Sequence, residues 1–203
     1  MIPKIIHYCW FGGKEKSNTV KNCIESWKRF MPDYEIKEWN ESNYDINKFE
    51  YSKTAYKEKV WGFVADPIRA DLLYEYGGIY FDTDIEAYKS FDDLLDNKMF
   101  MGFEQPTYLS TATIGAEKGH PYLKEIIYEY KKRKFERKDV WTDYITSPMI
   151  FTDVLSQHID RNRLEYQKTD NITLYPKEYF INYDKKSDKA YCKHFFLGSW
   201  TWK

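Results

Sequence analysis

The chain has 203 residues, 42% of them hydrophobic and 31% charged, a length and balance that predict one compact soluble domain, 1–203, with a substantial core. A net charge of −1 supplies no whole-molecule attraction to nucleic acid, and no run reaches the roughly 18 apolar residues of a membrane span, so membrane contact is expected to be peripheral at most. Cys9, Cys23 and Cys192 are too few and too scattered for a disulfide framework or a zinc motif; with no leader-like start, the expectation is a cytoplasmic protein or one at the inner face of the membrane.

Lys4 to Phe11 is a short apolar run closed by Gly12 and Gly13, the pattern of a buried first strand and a loop. Trp10, at its end, either packs in the core or presents its indole at the carboxyl end of a sheet, where α/β proteins bind nucleotides. His7 reads as a packing residue. Val20, Cys23, Ile24, Trp27, Phe30 and Met31 recur at helical spacing, so residues 18 to 31 predict an amphipathic helix capped by Ser17 or Asn18 and ended by Pro32. Glu35 to Trp39 alternates as a second strand, and strand, helix, strand predicts a parallel pair with a right-handed crossover. Residues 40 to 62 are polar, aromatic and weakly patterned, and no chemistry is assigned to them.

Residues 63 to 88 organise the rest. Asp66 and Pro67 fit an N-cap and first helical position, Leu72, Leu73 and Tyr76 give that helix apolar residues, and Gly77 supplies a stop before a short buried strand, Ile79 to Phe81. In an extended segment Asp82 and Asp84 face the same way, about 6 to 7 Å apart, with Thr83 opposite. Their repulsion, about 2 to 3 kcal/mol at an effective dielectric near 20, must be relieved by solvent or a cation, and a hard divalent ion with room for substrate phosphates does this. The expected place is a sheet edge bordering a cleft; a solvated turn with two acids is the alternative. Asp66 and Arg69, three apart on one helical face, either meet that cleft or serve as a helix cap and a surface ion pair.

Farther on, Phe91 to Leu95 suggests a short helix and Met99 to Phe103 a strand. Tyr108 to Ala116 is compatible with a strand whose Ser110, Thr111 and Thr113 hydroxyls serve sugar binding or packing. His120 and Pro121 start a helix with Leu123, Ile126, Ile127 and Tyr130 inward. The basic run Lys131 to Lys134, with Arg137 and Lys138, fits a solvated helix end or attraction to anionic lipid headgroups. Ser147 and Pro148 open another helix with Phe151, Val154 and Leu155 inward, Ile172 to Tyr175 reads as a strand, and the aromatic carboxyl-terminal stretch is expected to be tied down.

The run Asp66, Arg69, Tyr76-Gly77-Gly78, Tyr80 and Asp82-Thr83-Asp84 resembles the signature of family 32 glycosyltransferases, with no insertion between Asp66 and the aspartate pair. The opening Ile2-Pro3-Lys4-Ile5-Ile6-His7 through Trp10-Phe11-Gly12-Gly13 resembles that family's first strand. Tyr175-Pro176 with Tyr179-Phe180, and later His194 with Gly198-Ser199-Trp200, resemble its last segment, so the resemblance runs from residue 2 to residue 200. It implies a GT-A type α/β fold, a mixed, mostly parallel twisted sheet flanked by helices. It also implies retaining transfer of a hexose from a nucleotide-diphosphate sugar, UDP-hexose ahead of GDP-mannose, to a saccharide or lipid-linked saccharide acceptor in surface polysaccharide biosynthesis.

Carried onto this chain, the resemblance puts Mn²⁺ or Mg²⁺ on Asp82 and Asp84. His194 becomes a third protein ligand, against the alternative of a hydrogen-bonded histidine in an aromatic plug. Arg69 meets phosphate or sugar, Asp66 the sugar hydroxyls and Trp10 the base. Tyr80 and Thr83 join the donor site, and Ser199 and Trp200 close over the diphosphate. Pro67 directly after Asp66 leaves the role of Asp66 open. Two other classes stand against this reading: a catalytically inactive sugar-binding domain, and a phosphohydrolase, which Glu86 two residues past the pair and the late position of the motif disfavour.

Overall fold

A computed structural model describes residues 1–104, 107–181 and 187–198. In chain order the elements are β1 (Ile5–Cys9), α1 (Asn18–Phe30), β2 (Glu35–Trp39), α2 (Glu50–Lys57), α3 (Trp61–Tyr76), β3 (Gly78–Phe81) and β4 (Ile85–Ala87). There follow β5 (Met99–Gly102), β6 (Thr113–Ala116), α4 (Pro121–Lys131), α5 (Ser147–Leu155), β7 (Gln167–Lys168), β8 (Thr173–Tyr175) and β9 (Cys192–His194). Among these residues no helix is long and apolar enough to cross a membrane.

A seven-stranded sheet has the order β2-β1-β3-β6-β5-β8-β7, and β4 and β9 form a separate antiparallel ribbon. β1 is parallel to β2 and β3, β6 is antiparallel to β3 and β5, and β8 is parallel to β5 and antiparallel to β7. Five strands therefore share one direction, and only β6 and β7 oppose it. This is the mixed, mostly parallel sheet that a GT-A fold requires. Trp10, Asp82 and Glu104 come after the carboxyl ends of β1, β3 and β5, while Thr111 and Ala112 lead into the reversed β6. Residues far apart in the chain thus meet on one rim, the usual ligand side of such a sheet.

Two apolar layers cover the sheet. Alternation along β3 sends Ile79 and Phe81 into the layer of Trp27, Phe91 and Phe100, and Tyr80 into the layer built on α3. α1 begins and ends within a residue of the expected limits, with the Ser17 hydroxyl accepting from the Val20 amide. His120 caps α4 as expected, and the exposed Lys132 and the half-buried Arg133 pair with Glu129 at its solvated end.

Three local expectations are corrected. First, Asp66 is no N-cap: α3 begins at Trp61 and carries Pro67 inside it. The lost hydrogen bond to the carbonyl of residue 63 is outweighed because α3 is buried without interruption from Phe63 to Leu73. α2, in the unassigned stretch, packs against it, and its Ser52 hydroxyl donates to the Val64 carbonyl at 2.8 Å. Second, β3 is not an edge strand; it lies between β1 and β6. Third, residues 82 to 85 are not extended. The Ile85 amide donates to the Asp82 carbonyl at 3.1 Å, so a tight turn, and not strand alternation, brings the two aspartates together.

The passage from α3 into β3 needs glycine twice. Gly77 and Gly78 have φ of 67° and 109°, and a Cβ on Gly78 would stand 2.6 Å from the Ile5 carbonyl oxygen. His7 fixes this passage from β1: its Nε2–H donates to the Gly77 carbonyl at 2.8 Å, and its Nδ1 accepts from Trp39 Nε1–H at 3.1 Å. Accepting at Nδ1 requires the neutral ring with its proton on Nε2. Burial lowers the His7 pKa from 6.5 to about 4, with Gly77 opposing.

Because the unfolded chain takes up this proton at a higher pH than the folded one, the contribution of His7 is complete above pH 6.5 and is lost as pH falls toward 4. Urea titrations across that window should show stability falling by up to about 1.4 kcal/mol per pH unit from this one group. His7→Gln should flatten the slope by one proton; equal slopes in both proteins would contradict the assignment.

Candidate active site

A cavity of about 480 Å³ opens at the carboxyl rim of the sheet, bordered by Trp10, Asp66, Arg69, Asp82, Asp84 and His194. Tyr80 and Thr83 border it as well. Every residue proposed for the site from the sequence is therefore brought to one place, except Ser199 and Trp200, which lie outside the described residues.

Arg69 ties the site together. Its guanidinium donates to the Thr111 carbonyl at 2.7 Å, holds Asp66 Oδ1 at 3.0 Å and faces Asp82 Oδ1 at 3.4 Å. The Tyr80 ring lies 4.9 Å from the guanidinium carbon, so this buried tyrosine acts on the site through Arg69. One buried cation thereby joins α3, the turn after β3 and the segment before β6. Burial pushes the Asp66 carboxyl up to about 7, with Arg69 pulling it down and Asp82 adding to the rise. The Asp66–Arg69 pair is buried on both sides, unlike the surface pair considered from sequence.

The aspartate pair has a third partner. β4 pairs with β9 in a register that sets Ile85 opposite His194, and ligand atoms of Asp82, Asp84 and His194 all lie within 4.8 Å of one another. At that spacing two carboxylates repel by about 3 to 4 kcal/mol at an effective dielectric near 20. His194 Nε2 stands 3.3 Å from Asp84 Oδ1, and its Nδ1 is buried without a partner among the described residues. Burial opposes charge on both groups, yet their hydrogen bond and mutual attraction raise the His194 pKa and lower that of Asp84. The Leu197 amide also donates to Asp84 Oδ2 at 2.9 Å, and the Phe195 amide to the Asp84 carbonyl at 3.0 Å. These bonds flank Phe196, held at φ 52° with its ring 3.9 Å from that of His194. Two carboxylates and one imidazole, all close together, fit a divalent cation.

Trp10 is half-buried and borders the same cavity. Its indole N–H donates to the Lys14 carbonyl at 2.7 Å, and the Lys16 ammonium lies 5.4 Å from the ring centroid. Among the further residues that border the cavity and that the sequence reading did not assign to it are Trp61, Glu104, Thr146 and Ser147. Glu104 follows β5, and burial raises its pKa against the opposing pull of His194 and Ser110. An acid at the carboxyl end of a strand was the signal for it. Of the three hydroxyl residues considered for sugar, Thr111 borders the cavity, whereas Thr113 packs its hydroxyl 3.8 Å from Cys192 Sγ.

Residues 17–101 match the family model described as glycosyltransferase sugar-binding region containing DXD motif. The chain is 28% identical over 164 residues to inositol phosphoceramide mannosyltransferase 3 of Schizosaccharomyces pombe, an alignment covering 76% of this chain and 45% of that protein. It is 25% identical over 224 residues to the uncharacterized glycosyltransferase L373 of Acanthamoeba polyphaga mimivirus, covering 99% of this chain and 84% of that one. The chain thus spans less than half the length of the fungal relative. Among solved structures, the PaToxG glycosyltransferase shares the fold with a TM-score of 0.59 at 19% identity, covering 78% of this chain and 69% of that one.

Replacing Arg69 by Met should leave Asp66 and Asp82 without their shared cation and destabilise the protein by about 3 to 5 kcal/mol in urea unfolding. Adding Asp66→Asn to Arg69→Met should restore part of that loss. Additive losses would show that the two residues do not act as a pair.

Proposed function

We propose, for a chain that carries the DXD-containing sugar-binding region of the family 32 glycosyltransferases, that it transfers a hexose from a nucleotide-diphosphate sugar to a hydroxyl of a saccharide or lipid-linked acceptor. The observation that carries this reading is the meeting of Asp82, Asp84 and His194 at a cavity that Trp10 also borders. The relative's name, an inositol phosphoceramide mannosyltransferase, supports a lipid-linked acceptor and sets GDP-mannose level with the UDP-hexoses as donor.

Asp84 and His194, with Asp82, would hold the cation, and the mixed carboxylate and imidazole set favours Mn²⁺ over Mg²⁺. When bound, such an ion supplies Lewis-acid stabilisation of the charge that builds on the leaving diphosphate. Trp10 offers its ring to the base. Asp66 accepts hydrogen bonds from sugar hydroxyls. Arg69 positions Asp66 and Asp82 through its bonds to them, and its buried Nε, without a partner among the described residues, leaves it a group to meet phosphate or donor sugar as well. Glu104, which borders the same cavity, is our candidate to receive the hydrogen bond of an acceptor hydroxyl. Retention of configuration is part of this proposal, as is a single domain over 1–203 acting at the cytoplasmic face of a membrane.

Asp84→Asn should lower Mn²⁺-dependent hydrolysis of nucleotide sugars by about 100-fold or more while the circular dichroism spectrum is unchanged. Turnover equal to wild type would remove the metal assignment. Trp10→Ala should raise the donor KM by about 10-fold through lost stacking on the base with kcat little changed; an unchanged KM would place the base elsewhere.

A further inference from the structure

The segment between α4 and α5 carries chemistry that the donor site does not use. Two buried rings pin it: Phe135 and Tyr144 stack at 5.8 Å, and both pack on Phe63, at 5.0 and 4.9 Å. The Tyr144 hydroxyl accepts from the Lys138 amide at 2.9 Å and donates to the Lys138 carbonyl at 3.1 Å. With its inner side fixed in this way, the segment turns the rest outward. Lys131, Lys132, Lys134 and Arg137 are exposed, and so are two aliphatic residues, Val140 at 50% and Ile145 at 52%. Tyr128, on α4, is 64% exposed, with the Lys132 ammonium 4.2 Å from its ring centroid.

Residues 128–146 hold six cations and four acids, in a chain whose net charge is −1. Glu129 pairs with Lys132 and Arg133, and Glu136 with Lys138. Arg137 meets Glu58, which stands between the exposed Lys57 and Lys59. Lys131 and Lys134 form no ion pair among the described residues. Cations alone suit any polyanion. Exposed valine and isoleucine among them do not: they gain nothing from a soluble acidic glycan or a nucleic acid, and gain burial only where a charged surface has an apolar layer beneath it. We propose that residues 131–145 are a docking surface for a bilayer rich in anionic lipid, with the lysines on headgroup phosphates and Val140 and Ile145 in the layer below.

The segment runs directly into Thr146, Ser147 and Pro148, which border the cavity. A bilayer held against it therefore lies beside the donor site, within reach of an acceptor that stays in the membrane. The inference deepens the membrane placement proposed above by naming the surface, and rests on it only for the route of the acceptor.

The test is sedimentation of the 203-residue chain with phosphatidylglycerol-containing vesicles and with pure phosphatidylcholine vesicles, no nucleotide sugar being present. Wild type should bind the anionic vesicles alone, and less as salt is raised. Lys131→Glu with Lys134→Glu should weaken that binding by at least about 10-fold. Val140→Ser with Ile145→Ser should weaken it by about 5- to 10-fold and leave retention on dextran sulfate unchanged. All four positions are exposed, so both variants should melt as wild type does and hydrolyse soluble nucleotide sugar at its rate, which separates lost docking from lost folding. The inference is overturned if wild type shows no preference for the anionic vesicles, or if either double variant binds them as wild type does; an unaltered Val140 and Ile145 variant would make the patch a site for a soluble polyanion. Wild type that binds the vesicles but hydrolyses no nucleotide sugar would refute the donor reading and leave the docking surface standing.

Discussion

Arg69 is the residue on which the geometry of the cavity turns. A guanidinium with almost no access to water must be neutralised where it stands, and here its partners come from three directions: Asp66 on its own helix, Asp82 after β3 and the Thr111 carbonyl before β6. Each partner can occupy its place only if the element carrying it is correctly docked. The pair of aspartates, the segment before β6 and the middle of α3 are therefore set relative to one another by a single planar cation. The ring of Tyr80 beneath it and the glycine passage pinned by His7 keep β3 at the height this requires.

Around that fixed cation the negative charge is unevenly supported. Asp66 has Arg69, and Asp82 has Arg69 at a longer distance. Asp84 depends on His194, brought in by the pairing of β4 with β9, and on the Leu197 amide. The Asp84–His194 pair supplies, with a proton, part of what a divalent ion would supply with its own charge. The last described segment thus touches the aspartate pair through backbone bonds, while α3 and the start of α5 also border the cavity.

Much of this was legible in the chain itself. β1, α1, β2 and β3 follow from apolar periodicity punctuated by Gly12, Gly13, Pro32 and Gly77, which are signals local to a few residues. Asp66, Arg69 and the aspartate pair stood out through their spacing. The start of α3 was misplaced because Asp66-Pro67 has the local form of a helix beginning, and only the burial of Phe63, Val64 and Ala65 overrides it. The turn at residues 82 to 85 was read as strand because nothing in Asp-Thr-Asp distinguishes the two. Glu104 and Ser147 could not be joined to the cavity from sequence at all. Their proximity is a product of strand order and of the packing of α4 and α5 on α3, which are long-range facts.

The central claim is that the acids at the end of β3 and His194 form a cation site serving a nucleotide diphosphate. Anomalous diffraction from crystals grown with Mn²⁺ and UDP addresses it most directly. The account predicts a peak within bonding distance of Asp84 and His194, with the diphosphate on its open side and the uracil against Trp10. A peak elsewhere, with the Asp84–His194 hydrogen bond intact and the nucleotide away from this cavity, would contradict it.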